Sequence, residues 1–273
     1  MAYRPLRHLA QAIYFDQWKK SYIAMFTAYF DASGDQRSRV MTVAGFVSRS
    51  TKWVSFEKAW KALLPSSVKL FHMTDFVSFQ NGWEEWRGDD KREARIKLID
   101  DLVDCVKIHT NKGFAQSVRL SHFRQSSRHF EIERQFSYPY VLLGMGCLGR
   151  IKKWAEKKNE SLNNILCVFE DGDEGQGDLI SKSRLEGFNA IPQSKADIRA
   201  FDAADLAAWK ARAIVDDAWE RQLHLKDERS APRLEQSLDQ IDRLINSPTD
   251  NGMYSRGAID KILVDLKVPK RLL

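Results

Sequence analysis

Cysteine is scarce: three residues in 273, Cys105, Cys147 and Cys167, lie far apart in apolar contexts. No CxxC pair occurs, which argues against a disulfide framework or a cysteine zinc site. Buried free thiols in a reducing compartment are the expectation. No run approaches the length of about 20 apolar residues that spans a bilayer. The first residues, MAYRPLRHLAQAIYFDQWKK, intermix basic and apolar side chains, unlike a signal peptide, and read as a short amphipathic lead-in over 1–21. The expected setting is therefore cytoplasmic, without membrane association. Three common catalytic signatures are also missing: the phosphate-cradling GxxxxGK[ST], the dinucleotide GxGxxG and the GxSxG nucleophile elbow. There is no internal repeat.

What is present is enough for a substantial core, with 43% hydrophobic and 11% aromatic residues. Lys and Arg number 43 against 37 Asp and Glu, a net charge of +6 that is compatible with a polyanionic partner.

Apolar runs at Tyr22–Phe30 and Val40–Val47 predict a hairpin, followed by a helix over Thr51–Leu64 capped by Ser50 or Thr51. A second helix is predicted over Lys91–Ile108, with Ile96, Ile99, Leu102, Val103 and Val106 on one stripe. Phe114–Leu120 suits a strand, and residues 133–158 one long helix that Pro139 and three glycines would break or pack closely. Asn164–Phe169 is the clearest buried strand. A helix over Leu179–Phe188, a short edge or loop over Ile191–Arg199 and an alanine-rich helix over Phe201–Ala218 follow. From about Leu223 the chain reads as charged helix. Strands joined by helical crossovers fit an α/β sheet covered by helices.

Four short segments place acids beside apolar runs: Asp31 in YFDASGD, Asp75 in FHMTDF, Glu170 and Asp171 in CVFEDGDEG, and Asp205 in FDAADLAAW. Carboxylate oxygens are the ligands that hard divalent cations prefer, and two such ions can drive phosphodiester hydrolysis. Each segment also has a plainer reading. Asp31 caps a turn shaped by Ser33 and Gly34. Thr74 or Asp75 caps a helix. His72 is structural, or alternatively positions a phosphate or shuttles a proton. The 170–174 loop is simply solvated; as an EF-hand it fails, with Gly175 and Lys182 at liganding positions. Directly after a buried strand, Glu170 or Asp171 is better placed for a fixed site than Asp173 or Glu174. Asp202 and Asp205 share a helical face, but Asp202 suits a first-turn acid and Asp205 is the better ligand. The basic, ring-bearing stretch Arg119–Phe130 is either a solvated surface or a phosphate- and base-contacting one.

In order and spacing these four motifs resemble the bacterial and phage domain-of-unknown-function 3800 family, over about Tyr29–Arg212. That family's first motif usually reads Asp-Glu-Ser-Gly, and here Ala32 replaces the glutamate. Its last is commonly Gln-x-Ala-Asp-Leu, and here Asp202 replaces the glutamine. The resemblance implies a ribonuclease H-like central mixed sheet flanked by helices, assigned to residues 22–222. The charged helical extension over 223–273, read from its own composition, is expected to pack on the same domain or serve as a dimerisation arm. The resemblance also implies a Mg²⁺- or Mn²⁺-dependent nuclease acting on DNA or RNA. Asp31, Glu170, Asp171 and Asp205 would be metal ligands, with Asp75 and His72 completing the catalytic set. A homo-oligomer or a defence-system partner protein accompanies that expectation. The alternatives are a catalytically silent member binding nucleic acid or protein, and a phosphohydrolase of small phosphates.

Overall fold

The computed structural model describes residues 25–223 and 249–271. The lead-in over 1–21 and the stretch 224–248 of the charged extension lie outside the described residues. Strands β1 (Phe26–Ser33) and β2 (Val40–Arg49) form the expected hairpin, antiparallel, with Asp31 opposite Ala44. Asp31 is therefore inside a strand and does not cap the turn. That task falls to Asp35, whose Oδ1 accepts from the backbone N–H groups of Arg37 and Ser38 at 3.0 and 2.9 Å.

Helix α1 (Ser50–Leu63) buries Trp53, Phe56 and Trp60, the helical spacing visible in the sequence. Neither predicted cap operates: Arg49 is the N-cap residue, and the Ser50 hydroxyl instead pairs with Thr27 Oγ1 at 3.3 Å. A short helix α2 (Met73–Ser78) begins after His72, so neither Thr74 nor Asp75 caps it. Helix α3 (Arg92–His109) leads to β3 (Lys112–Arg119), antiparallel to β2. Helix α4 (Leu120–His129) follows at once.

Helix α5 (Pro139–Lys158) starts at the proline that the sequence reading placed inside a longer helix. At a helix's first position the missing N–H would have had no partner anyway, so proline opens α5 rather than breaking it. Strand β4 (Ile165–Glu170) is parallel to β1, with Phe30 beside Phe169. Helix α6 (Gln176–Leu185) returns the chain to a parallel edge strand β5 (Asn189–Gln193). The long helix α7 (Ala200–Leu223) comes next. The extension then departs from the all-helical expectation. Strand β6 (Thr249–Tyr254) adds to the sheet parallel to β3, ahead of α8 (Arg256–Asp265).

The result is one mixed six-stranded sheet in the order β5-β4-β1-β2-β3-β6, flanked by helices, the α/β arrangement expected. Successive strand residues face opposite ways, so each face of the sheet carries its own core. Tyr29, Ala44, Phe46, Leu166 and Val168 pack against α1, α2, α3 and α7. Ala28, Phe30, Val43, Cys167 and Phe169 pack against α4, α5, α6 and α8. All three cysteines are free and buried, as their contexts predicted. Among the described residues no helix is long and apolar enough to cross a membrane.

Candidate active site

The order in which the chain adds strands switches sides between the parallel neighbours β1 and β4: β2 and β3 lie to one side, β4 and β5 to the other. Such a switch point leaves a crevice at the carboxyl ends of its two strands, where α/β proteins place ligand groups. Asp31 follows Phe30, and Glu170 follows its register partner Phe169, so the two acids emerge side by side there. The pleat puts Asp31 on the face of Tyr29, toward α7. Alanines 200, 203, 204, 207 and 208 are buried along α7 and allow a close approach to β1 and β2. That approach carries Asp205 into the crevice.

At its centre stands a lysine. Lys195, in the turn between β5 and α7, is 5% exposed. Its Nζ donates to Asp31 Oδ2 at 2.9 Å and lies 3.5 Å from Glu170 Oε2 and 3.9 Å from Asp205 Oδ1. Asp205 Oδ2 accepts from the backbone N–H of Met73 at 2.7 Å, which ties α2 to α7. That tie brings His72 to the rim. Its Nδ1 is 3.3 Å from Lys195 Nζ and 3.6 Å from Asp205 Oδ2. A neutral Nδ1 accepts from the lysine, whereas a protonated one turns its charge to the aspartate.

The electrostatics follow from burial and crowding. Desolvation, then a hydrogen bond with Asp31 and its charge, push the Glu170 carboxyl well above the usual carboxylate range. Burial opposes the charge of Lys195, but Asp31, Asp205 and Glu170 together hold its pKa above the usual lysine range. The hydrogen bond to Asp205 raises His72, against burial and the lysine, and the charge of Asp75 adds to the rise.

Four of the six predicted residues thus converge: Asp31, Glu170, Asp205 and His72. Asp75 lies one helical turn beyond His72 and acts through its charge; no ion pair joins it to Lys195. Asp171 is exposed, its backbone N–H donating to Gln193 O at 2.9 Å. Gly172, at φ +109°, reverses the loop and turns Asp173 inward instead. There Tyr140 hydrogen-bonds to Asp173, and burial followed by the charge of Asp31 raises its carboxyl to about 6. The order expected for Asp171 and Asp173 is therefore inverted. Lys195 itself was missed, because QSKAD reads as an ordinary polar loop until the acids around it are known to meet.

Ala32, next to Asp31 in sequence, lies on the opposite face of β1 and packs against the second core. A side chain at that position points away from the cluster. Asp202 is fully buried, accepting from Trp60 Nε1 at 2.9 Å, and serves the core rather than the crevice. In Arg119–Phe130 the rings of Phe123 and Phe130 are buried, which removes them as base-stacking platforms, while Arg124 and Arg128 are exposed.

The donor set can be tested for a divalent cation. Three carboxylates and an imidazole, with one internal cation already at their focus, match the chemistry of a hard or borderline metal. As they stand, no three His, Cys, Asp or Glu side chains among the described residues close around an ion. Mg²⁺ needs oxygens at about 2.0–2.1 Å, whereas these acids are spaced around an ammonium.

No family model matches the sequence, and no curated protein matches it. Among solved structures, the chain is similar to the PCNA:RNase HII complex from Archaeoglobus fulgidus. The TM-score is 0.40 and the identity 12%, covering 79% of this chain and 87% of that one. Likeness at that level says nothing of chemistry.

Proposed function

We propose that this chain is a divalent-metal-dependent nuclease that hydrolyses phosphodiester bonds in DNA or RNA, a member of the domain-of-unknown-function 3800 family with Asp31, Glu170 and Asp205 as its metal-holding residues. The observation that carries the reading is the meeting of three acids, from distant parts of the sequence, around one buried ammonium at the sheet's switch point. Mg²⁺ or Mn²⁺ bound there supplies activation of the attacking water and stabilisation of the leaving 3′-oxygen. The protein's own groups do the rest. Asp31, Asp205 and Glu170 supply the carboxylate oxygens that would hold the metal. The N–H of Met73 keeps Asp205 oriented. His72, with its side chain 38% exposed, is the group at the rim that can meet a phosphate oxygen. Asp75 favours the charged imidazole that such a contact needs.

The test is incubation with labelled single- and double-stranded DNA and RNA in Mn²⁺, Mg²⁺ or EDTA. Cleavage should require metal and fall by a factor on the order of 10³ or more in Asp31→Asn and in Asp205→Asn. Undiminished cleavage in both variants would remove the cluster from the mechanism. One observation favours a second reading, a catalytically silent binding member: Lys195 already neutralises the acids from within. Binding of nucleic acid without cleavage in any metal would select it.

A further inference from the structure

We infer that Lys195 is a displaceable internal counter-ion: its ammonium holds the place a divalent cation takes and must swing out for the metal to enter. The inference rests on the reading of Asp31, Glu170 and Asp205 as the metal-holding residues. An ammonium 2.9, 3.5 and 3.9 Å from three carboxylates stands at the minimum of their combined potential, where any cation would settle. An ion held by all three acids at metal–oxygen distance would fill the volume the ammonium now occupies, so the two exclude each other there.

The lysine is built to be the one that leaves. It is a point charge on a flexible four-carbon stem, without the bidentate fork by which an arginine would lock a carboxylate. It springs from a single-turn 3₁₀ segment after an edge strand, not from a helix or a central strand. One neighbour of its Nζ, His72, is a rim residue, so the stem has an exit on that side. Without metal the lysine keeps three crowded carboxylates from repelling one another. With metal, its charge is released toward the rim, where a phosphate backbone would meet it.

The experiment titrates Mn²⁺ into the full chain by calorimetry and records thermal melts in EDTA and in Mn²⁺. The proteins are wild type, Lys195→Gln and Lys195→Arg. Lys195→Gln should bind Mn²⁺ tighter by roughly tenfold or more. In EDTA it should melt roughly 5 °C or more below wild type, and Mn²⁺ should restore it. If it does not fold in EDTA, refolding on addition of Mn²⁺ is the same result. Lys195→Arg should keep the wild-type melt in EDTA and gain no affinity for Mn²⁺. Unchanged or weaker Mn²⁺ binding in Lys195→Gln, or a failure to fold even with Mn²⁺, would overturn the inference. The nuclease reading fails separately: absent cleavage at saturating Mn²⁺, with the contrast between variants intact, sinks that reading and leaves the counter-ion. Cleavage without the contrast does the reverse.

Discussion

Asp202 is completely enclosed: Trp60 Nε1 donates to its Oδ2 at 2.9 Å, Arg199 lies 3.5 Å from the same oxygen, and Oδ1 has no partner among the described residues. Burial, only partly offset by Arg199, raises its carboxyl from 3.8 to about 7. The folded protein therefore keeps a proton between those values that the unfolded chain has released. Folding is favoured at the acidic end of that window and loses this contribution as pH rises through it. Asp202→Asn keeps an acceptor for Trp60 and removes the titration. Denaturant melts between pH 4 and 8 should show a flatter profile for the variant, with the difference from wild type shifting in the variant's favour toward pH 8 by up to about 4 kcal/mol. A constant difference across that range would mean that Asp202 is ionised throughout. At this scale, legibility in the sequence follows chain geometry. Asp31 and Glu170 are visible because each ends an apolar run, and Asp205 because nothing in its alanine-rich surroundings explains an acid. Lys195 and Asp173 are invisible, since what distinguishes them is a position set by other segments.

Elements built on periodicity were readable, and those that depend on close approach were not. The Trp53, Phe56 and Trp60 spacing and the stripe of α3 mark helices because one face must be buried. The parallel role of β6 depends on neighbours far away in sequence, whereas the start of α5 is a local matter of proline at a first helical position. Glycine makes the same contrast experimentally. A Cβ on Gly45 in β2 would sit 1.9 Å from Tyr29 O, inside the β1–β2 pairing that sets Asp31 in place. A Cβ on Gly149, on the exposed side of α5, would meet nothing within 4 Å. Gly45→Ala should destabilise the fold by about 3 kcal/mol or more, because backbone, not a flexible side chain, must yield. Gly149→Ala should stabilise it by about 0.5–1 kcal/mol by lowering the entropy lost in the helix. Equilibrium urea unfolding of the two variants measures both signs, and equal effects would refute the close-approach account.

For the whole molecule, the sheet is completed from the far end of the chain. β6 covers the outer edge of β3, and α8 buries Ile259 and Leu263 in the second core. A chain ending at Leu223 would leave that edge unpaired and those contacts unmade, so it should melt well below the full chain and aggregate. An unchanged melt would show that β6 and α8 are accessory. The crevice at the other side of the sheet joins β1, β4, the β5–α7 turn, α2 and α7, and so exists only when the whole fold is assembled. The central claim is that its three acids form a cation site. Diffraction from crystals grown with Mn²⁺, recorded for the metal's anomalous signal, tests it most directly. The account predicts a peak bounded by Asp31, Glu170 and Asp205, with the Lys195 ammonium moved toward His72 and the rim. Lys195 still bound to Asp31, with no peak between the acids, would contradict it.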